Sequence, residues 1–163
     1  MYDIIIVGGG PAGLTAAIYA RRAEKTVLVL EAAAFGGQIS YTDNIENYPG
    51  ISSVSGADFA AALYAQAKSC GADMKIERVS GIKDGKIKTV ISSKGEYSCK
   101  SVIIASGQKS RRLGADGEQR FIGSGVSFCA VCDGNFFRNR DVCVVGGGNT
   151  ALRDALYLSS ICK

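Results

Sequence analysis

Residues 2–7 form a short, β-branched apolar run that stops on Gly8-Gly9-Gly10-Pro11-Ala12-Gly13. Such a run predicts a buried strand ending in a tight turn. Leu14, Ala17, Ile18 and Arg21 then recur at helical spacing, and Arg21-Arg22 fall where a helix C-terminus favours cations. A second apolar run over residues 26–30 follows at once and ends at Glu31. Strand, glycine turn, helix and strand within about 30 residues make a βαβ unit. The glycine spacing Gly8-x-Gly10-x-x-Gly13 has a separate reason at each position. The first permits the turn, the second lets backbone amides reach a pyrophosphate, and the third allows close packing of helix on strand. Glu31 stands 18 residues beyond Gly13, where a carboxylate can accept both hydroxyls of an adenosine ribose. A plain βα turn with a surface glutamate is the alternative, and the strand–turn–helix–strand context weighs against it.

Beyond this unit, residues 32–55 show no clean period and are rich in Gly, Asn, Asp, Ser and aromatic residues, which predicts a long functional loop. Residues 56–70 read as an alanine-rich helix closed by Gly71. A strand is expected over residues 74–79. A meander should follow, with strands near residues 81–83, 86–91 and 96–99 and turns at Asp84-Gly85 and Lys94-Gly95. Residues 101–105 read as another buried strand, closing on Ser106-Gly107. The polar, charged stretch 108–119 is the candidate interdomain linker. A further strand is expected over residues 141–145, then a second glycine turn and a helix over about residues 149–160.

That second turn, Gly146-x-Gly148-x-x-Ala151, repeats the first with alanine as the third small residue. The side chain that would discriminate NAD from NADP would lie on a following strand, beyond Lys163, so the preference of this site is not legible. The two glycine-turn βα units amount to a coarse internal duplication.

Between them lies Cys129-Ala130-Val131-Cys132-Asp133-Gly134, the one place where two of the six cysteines stand close together. Three readings compete. Structural zinc needs four ligands, and the sequence has no second CxxC and no histidine. Two reduced, buried cysteines would make the spacing accidental. A redox dithiol is favoured: one thiol can attack the mixed disulfide formed by the other, and Asp133 could carry the proton involved. The absence of histidine also removes Ser-His and Cys-His catalysis, leaving acid–base work to Asp, Glu, Lys, Tyr or Cys. Because a nicotinamide does not efficiently reduce a disulfide directly, one of the two nucleotide sites should hold FAD as intermediary.

Net charge is +4, from 19 basic and 15 acidic residues. The basic residues occur mostly as singles or pairs, which gives nucleic-acid binding little support. Met1-Tyr2-Asp3 carries an acid where a leader would need a base, and no run approaches the ~20 apolar residues of a membrane helix. Cys70, Cys99, Cys143 and Cys162 lie isolated in or beside apolar segments, as in a reducing compartment. A cytoplasmic protein is expected.

Taken together, Gly8 through Gly13, Gly36-Gly37-Gln38-Ile39, Glu46-Asn47-Tyr48-Pro49-Gly50, Cys129 through Gly134 and Gly146 through Ala151 resemble the low-molecular-weight thioredoxin reductases of bacteria. The resemblance runs over essentially the whole chain. It implies an α/β fold: a Rossmann-like FAD-binding domain over residues 1–112, built of a parallel sheet and a β-meander, followed over residues 113–163 by the start of an NADPH-binding domain that carries the CxxC. It implies that the first turn (Gly8, Gly10, Pro11, Ala12, Gly13) and Glu31 hold FAD, with further contacts from Ala32, Gly36, Gly37, Gln38, Asn47, Val79, Ala105 and Gly107. Gly146, Gly148, Asn149 and Thr150 would serve NADPH. Cys132 would face the flavin, Cys129 would exchange with thioredoxin, and Asp133 would be the acid–base residue. Homodimers and a domain swivel about residues 108–119 are further implications.

The sequence departs from the family at Val131, where Thr is usual, and at Arg153-Asp154, where an acidic pair is common. Family members are also roughly twice as long, so a fragment of such a reductase is expected, with doubtful activity of its own. A ferredoxin-linked or peroxidase-partner flavin disulfide reductase, and a non-catalytic FAD-binding module, are the alternatives.

Overall fold

The computed structural model describes residues 1–163. Its contacts divide the chain into two compact units: Met1–Glu46 with Ser53–Lys109, and Asn47–Ser52 with Ser110–Lys163.

In the first unit, six strands form one sheet: β1 (Tyr2–Val7), β2 (Val27–Glu31), β3 (Asp73–Ile76), β4 (Val79–Lys83), β5 (Lys88–Ser92) and β6 (Gly95–Ile104). Their order is β3-β2-β1-β6-β5-β4. β1 pairs in parallel with β2 and β6, and β2 with β3. β6, β5 and β4 run antiparallel at the other edge. Helix α1 (Pro11–Arg22) connects β1 to β2, and α2 (Gly56–Ser69) precedes β3.

The core follows from strand alternation. Ile6, Val27 and Val29 point to one face and pack with Leu14, Ala17 and Ile18 of α1 and Ala67 of α2. Ile5, Leu28 and Leu30, one residue out of phase, pack on the other face with Val90 and Cys99. β2 is therefore apolar at four successive positions, as a parallel strand buried on both faces requires. Ser55 caps α2 by accepting the Asp58 amide at 3.0 Å, and Gly71, at φ +87°, ends the connection that follows. Arg21 closes α1 by donating to the Lys25 carbonyl at 2.7 Å and the Cys70 carbonyl at 3.0 Å, tying the C-terminal ends of the two helices.

Residues 32–55 form the expected long loop, which holds a 3-10 turn over Gly37–Tyr41 and a bridge from Ile45 to Val54. Two sequence expectations in this unit need correction. The expected strand over residues 74–79 is two strands, because the chain leaves the β2 edge at Glu77 and joins the meander at Val79. Glu77 is turned inward instead of continuing the alternation. Conversely, residues 96–99 and 101–105 are not separate strands. β6 is continuous, and its Cys99 lies opposite both Tyr2 of β1 and Lys88 of β5. Lys100, which looks like a break in the apolar pattern, reaches out to Asp3 at 2.7 Å.

The second unit contains α3 (Glu118–Phe121), α4 (Ala130–Asp133), a 3-10 turn over Gly134–Phe137 and α5 (Asn149–Leu158). The strand expected over residues 141–145 is not formed, since no strand lies beside it to complete a ladder; Val145 is 65% exposed. No helix of the chain is long and apolar enough to cross a membrane.

Candidate functional site

The first glycine turn lies at the C-terminal ends of β1, β2 and β6. Two backbone bonds set its position: the Gly8 amide donates to the Leu30 carbonyl, and the Ala105 amide to the Val7 carbonyl, each at 2.8 Å. Gly8 adopts φ +109°, and a Cβ there would come within 2.2 Å of the Ala105 carbonyl oxygen. At Gly13 a Cβ would fall 1.9 Å from the Gly8 carbonyl oxygen, so α1 can begin against the turn only without a side chain. Gly10 caps α1 with no side-chain bond, and Pro11 opens the helix. The uncapped amides at this end can therefore face an anion.

Glu31 is fixed by the backbone around it. One carboxylate oxygen accepts the Gly9 amide at 2.7 Å, the other the Ala33 amide at 3.0 Å. Each oxygen keeps further acceptor capacity, so ribose hydroxyls could be added without displacing either amide. Gly36 donates to the Gly9 carbonyl at 2.8 Å, which holds the start of the 3-10 turn against the glycine turn. Gly37 follows at φ +65°, where a Cβ would be 3.0 Å from Gly10 Cα. Gln38 donates from its side-chain amide to the Gln108 carbonyl.

Of the residues expected at the first site, the structure thus groups Gly8, Gly10, Pro11, Ala12, Gly13, Glu31, Gly36, Gly37 and Ala105. Ala32 follows Glu31 directly. Gly107 lies two residues past Ala105 at φ +67°, with nothing within 4 Å of its missing Cβ. Val79 packs instead against the Leu30 and Val90 cluster at the start of β4. Asn47 falls in the second compact unit.

In the second unit, Cys129 and Cys132 form a disulfide with Cα atoms 5.3 Å apart. α4 makes the pairing local: three residues of helix bring the second cysteine back over the first, and the Cys129 sulfur accepts the Cys132 amide at 3.2 Å. Cys132 is exposed, while Cys129 and Asp133 are half-buried. The Asp133 carboxylate accepts a 2.5 Å hydrogen bond from the Ser127 hydroxyl, whose oxygen accepts the Cys129 amide at 3.0 Å. Sequence reasoning missed Ser127. A serine two residues before a cysteine is the signal of a side-chain-to-backbone turn that could have found it.

A cavity of about 980 Å³ in this unit is lined by Cys129 and Asp133 together with Gly146, Gly148 and Thr150. Gly146 adopts φ +140°, and its missing Cβ would lie 3.1 Å from Ala151, which explains the need for a small third residue. Gly148 caps α5 without a side-chain bond, and Asn149 and Thr150 form the first turn of that helix.

A glycine turn at the ends of parallel strands and a disulfide between cysteines three apart thus occur in one chain. The chain belongs to the pyridine nucleotide-disulphide oxidoreductase family, whose model matches residues 2–163. It is 45% identical over 160 residues to the thioredoxin reductase of Listeria monocytogenes, covering 98% of this chain and 50% of that protein. It is 46% identical over 162 residues to the thioredoxin reductase of Treponema pallidum, covering 98% and 53%. The crystal structure of thioredoxin reductase from Streptococcus pyogenes superposes with a TM-score of 0.95 at 44% identity, over 100% of this chain and 54% of that one. The chain spans about half the length of the curated relatives it matches.

Proposed function

We propose that the whole protein is a flavin-dependent thioredoxin reductase that passes electrons from NADPH to thioredoxin through the Cys129–Cys132 pair. The observation that carries this reading is the disulfide itself, formed beside a carboxylate and sharing a cavity with the second glycine turn. FAD fits the first turn: Gly8 and Gly13 let the turn close against Ala105 and α1, Gly10 leaves the backbone open to a pyrophosphate, α1 offers uncapped amides, and Glu31 presents fixed acceptors for the ribose. Ala32, Gly36, Gly37, Gln38, Ala105 and Gly107 of the same unit complete that set, and Gly146, Gly148, Asn149 and Thr150 hold NADPH. When bound, FAD accepts hydride and supplies an electron pair to the disulfide.

The residues of the chain then carry out thiol exchange. Two electrons and two protons convert the Cys129–Cys132 disulfide to two thiols. Cys129, as thiolate, attacks the disulfide of thioredoxin, and a mixed disulfide forms as one partner sulfur leaves. Cys132 attacks the Cys129 sulfur, releasing reduced thioredoxin and restoring the starting disulfide. Asp133 takes the proton from the attacking thiol and returns it to the departing sulfur. The protein works in the cytoplasm as a homodimer.

The test is a flavin absorption spectrum of the purified chain, followed by NADPH and oxidised thioredoxin. The expected result is a yellow protein. A colourless one would remove FAD from the first turn. Turnover is expected of the whole protein, with NADPH preferred over NADH, and its size on gel filtration should be twice that of one chain.

A further inference from the structure

We propose that Ser127 is a positioning residue that holds Asp133 in both of its protonation states, and so sets the rate at which the Cys129–Cys132 pair exchanges. The inference rests on the dithiol reading above and adds to it a residue outside the CxxC-Asp motif.

The polarity of the hydrogen-bond chain carries the inference. The Cys129 amide can only donate, and it donates to the Ser127 oxygen at 3.0 Å. The single hydroxyl proton is therefore free to point elsewhere, and it points to the Asp133 carboxylate at 2.5 Å. In this state Ser127 donates and the Asp133 carboxylate accepts. The same oxygen lies 3.3 Å from the Cys129 carbonyl, a second acceptor for its proton. When Asp133 becomes a carboxylic acid, its new O–H needs an acceptor. Ser127 provides one from its remaining lone pair, as its own proton turns to the Cys129 carbonyl. The Cys129 amide bond persists in both arrangements. One side chain thus keeps the carboxyl group tied to the backbone of the first cysteine before and after proton transfer. The Asp133 amide adds a fixed point, donating to the Cys129 carbonyl at 3.1 Å.

The reaction that reads this needs neither nucleotide. The reduced 163-residue chain is mixed with oxidised glutathione at pH 7, quenched with acid, and followed by mass. The proton of one thiol passes to Asp133, and the thiolate attacks glutathione disulfide. One glutathione leaves with that proton, and the second cysteine displaces the other as the internal disulfide closes. The balance is one dithiol and one glutathione disulfide giving one disulfide and two glutathiones.

General acid–base assistance contributes about 10²–10⁴-fold, and loss of orientation alone should forfeit roughly tenfold of it. Ser127→Ala is expected to slow exchange about tenfold and Ser127→Thr, which keeps the hydroxyl, less than about twofold. Ser127→Val, the same shape as threonine without the hydroxyl, should follow alanine. In an Asp133→Asn background the alanine change should add nothing further. Equal rates for the threonine and valine variants would overturn the proposal, as would an undiminished serine effect in the asparagine background. An Asp133→Asn chain as fast as the parent would instead remove Asp133 from acid–base work, and the proposal with it.

Discussion

Gly13 and Gly147 show how differently two glycines of similar motifs are constrained. A methyl group at Gly13 would meet the Gly8 carbonyl oxygen at 1.9 Å, a backbone atom inside the turn that cannot swing aside. Alanine is the better helix former by about 1 kcal/mol, but an overpacked core position costs about 1–3 kcal/mol, and here the obstacle is backbone. Gly13→Ala should therefore lower the urea midpoint and reduce flavin retention. At Gly147 nothing lies within 4 Å of the missing Cβ, so Gly147→Ala should stay within about 0.5 kcal/mol of the parent. Equal midpoints for the two variants would refute the steric account of the first turn. The proposed relay gives the two cysteines of the pair different roles. Cys132→Ser should abolish thioredoxin reduction in the whole protein, since a mixed disulfide formed at Cys129 could no longer be resolved; a steady-state assay with NADPH reads the loss.

The elements of the first unit meet at a buried polar joint that the sequence did not announce. Glu77, 6% exposed, lies between β3 and β4 and accepts the Ser92 hydroxyl at 2.5 Å and the Tyr97 hydroxyl at 3.0 Å. The Ser92 bond is the main influence holding its carboxyl below the ordinary value of 4.5, with Tyr97 and the charges of Lys75 and Lys94 acting in the same direction. A carboxyl depressed in the folded state contributes stability that is fully present above the unfolded value and disappears as pH falls through the folded one. Glu77→Gln should therefore melt below the parent at neutral pH, and the gap should narrow below about pH 4.5. A gap independent of pH in melting curves from pH 3 to 7 would rule the carboxylate out as its source. The same joint explains where the sequence was legible. β1, α1, β2 and α2 announce themselves because their apolar periods match one element each. The 74–79 stretch does not, because Glu77 points inward for a hydrogen bond that only Ser92 and Tyr97, fifteen and twenty residues later, can supply. The sequence of β6 reads as two segments at Lys100 for a similar reason: the partner of Lys100, Asp3, is 97 residues away. At the sites, the glycine turns and the CxxC carry local signatures, whereas the Ser127 bridge depends on α4 turning Asp133 back towards a residue six positions earlier.

Across the whole molecule, stability is unevenly shared. Every buried apolar side chain of the core belongs to the first unit, from Ile5 and Ile6 through Val90 and Cys99. The second unit has short helices, one isolated bridge pair and an α5 whose Leu152 and Leu156 are 60% and 74% exposed. Local opening free energy follows buried apolar contacts and ladder hydrogen bonds, so the two units should differ in amide exchange. Amides of β1, β2, β6 and α1 should exchange slowest, and those of residues 110–163 should label within the earliest time points of a deuterium-exchange experiment. FAD at 100 times its dissociation constant would stabilise the folded first unit by about 2.7 kcal/mol through mass action alone. Added FAD should thus slow exchange in β1, β2 and α1 wherever opening of that unit exposes the amide, and leave residues 140–163 unchanged, because Gly8, Gly13 and Glu31 all lie in the sheet unit. Uniform protection across both units, or a flavin effect confined to residues 140–163, would contradict this division of labour between a pre-formed nucleotide turn and a more open dithiol unit.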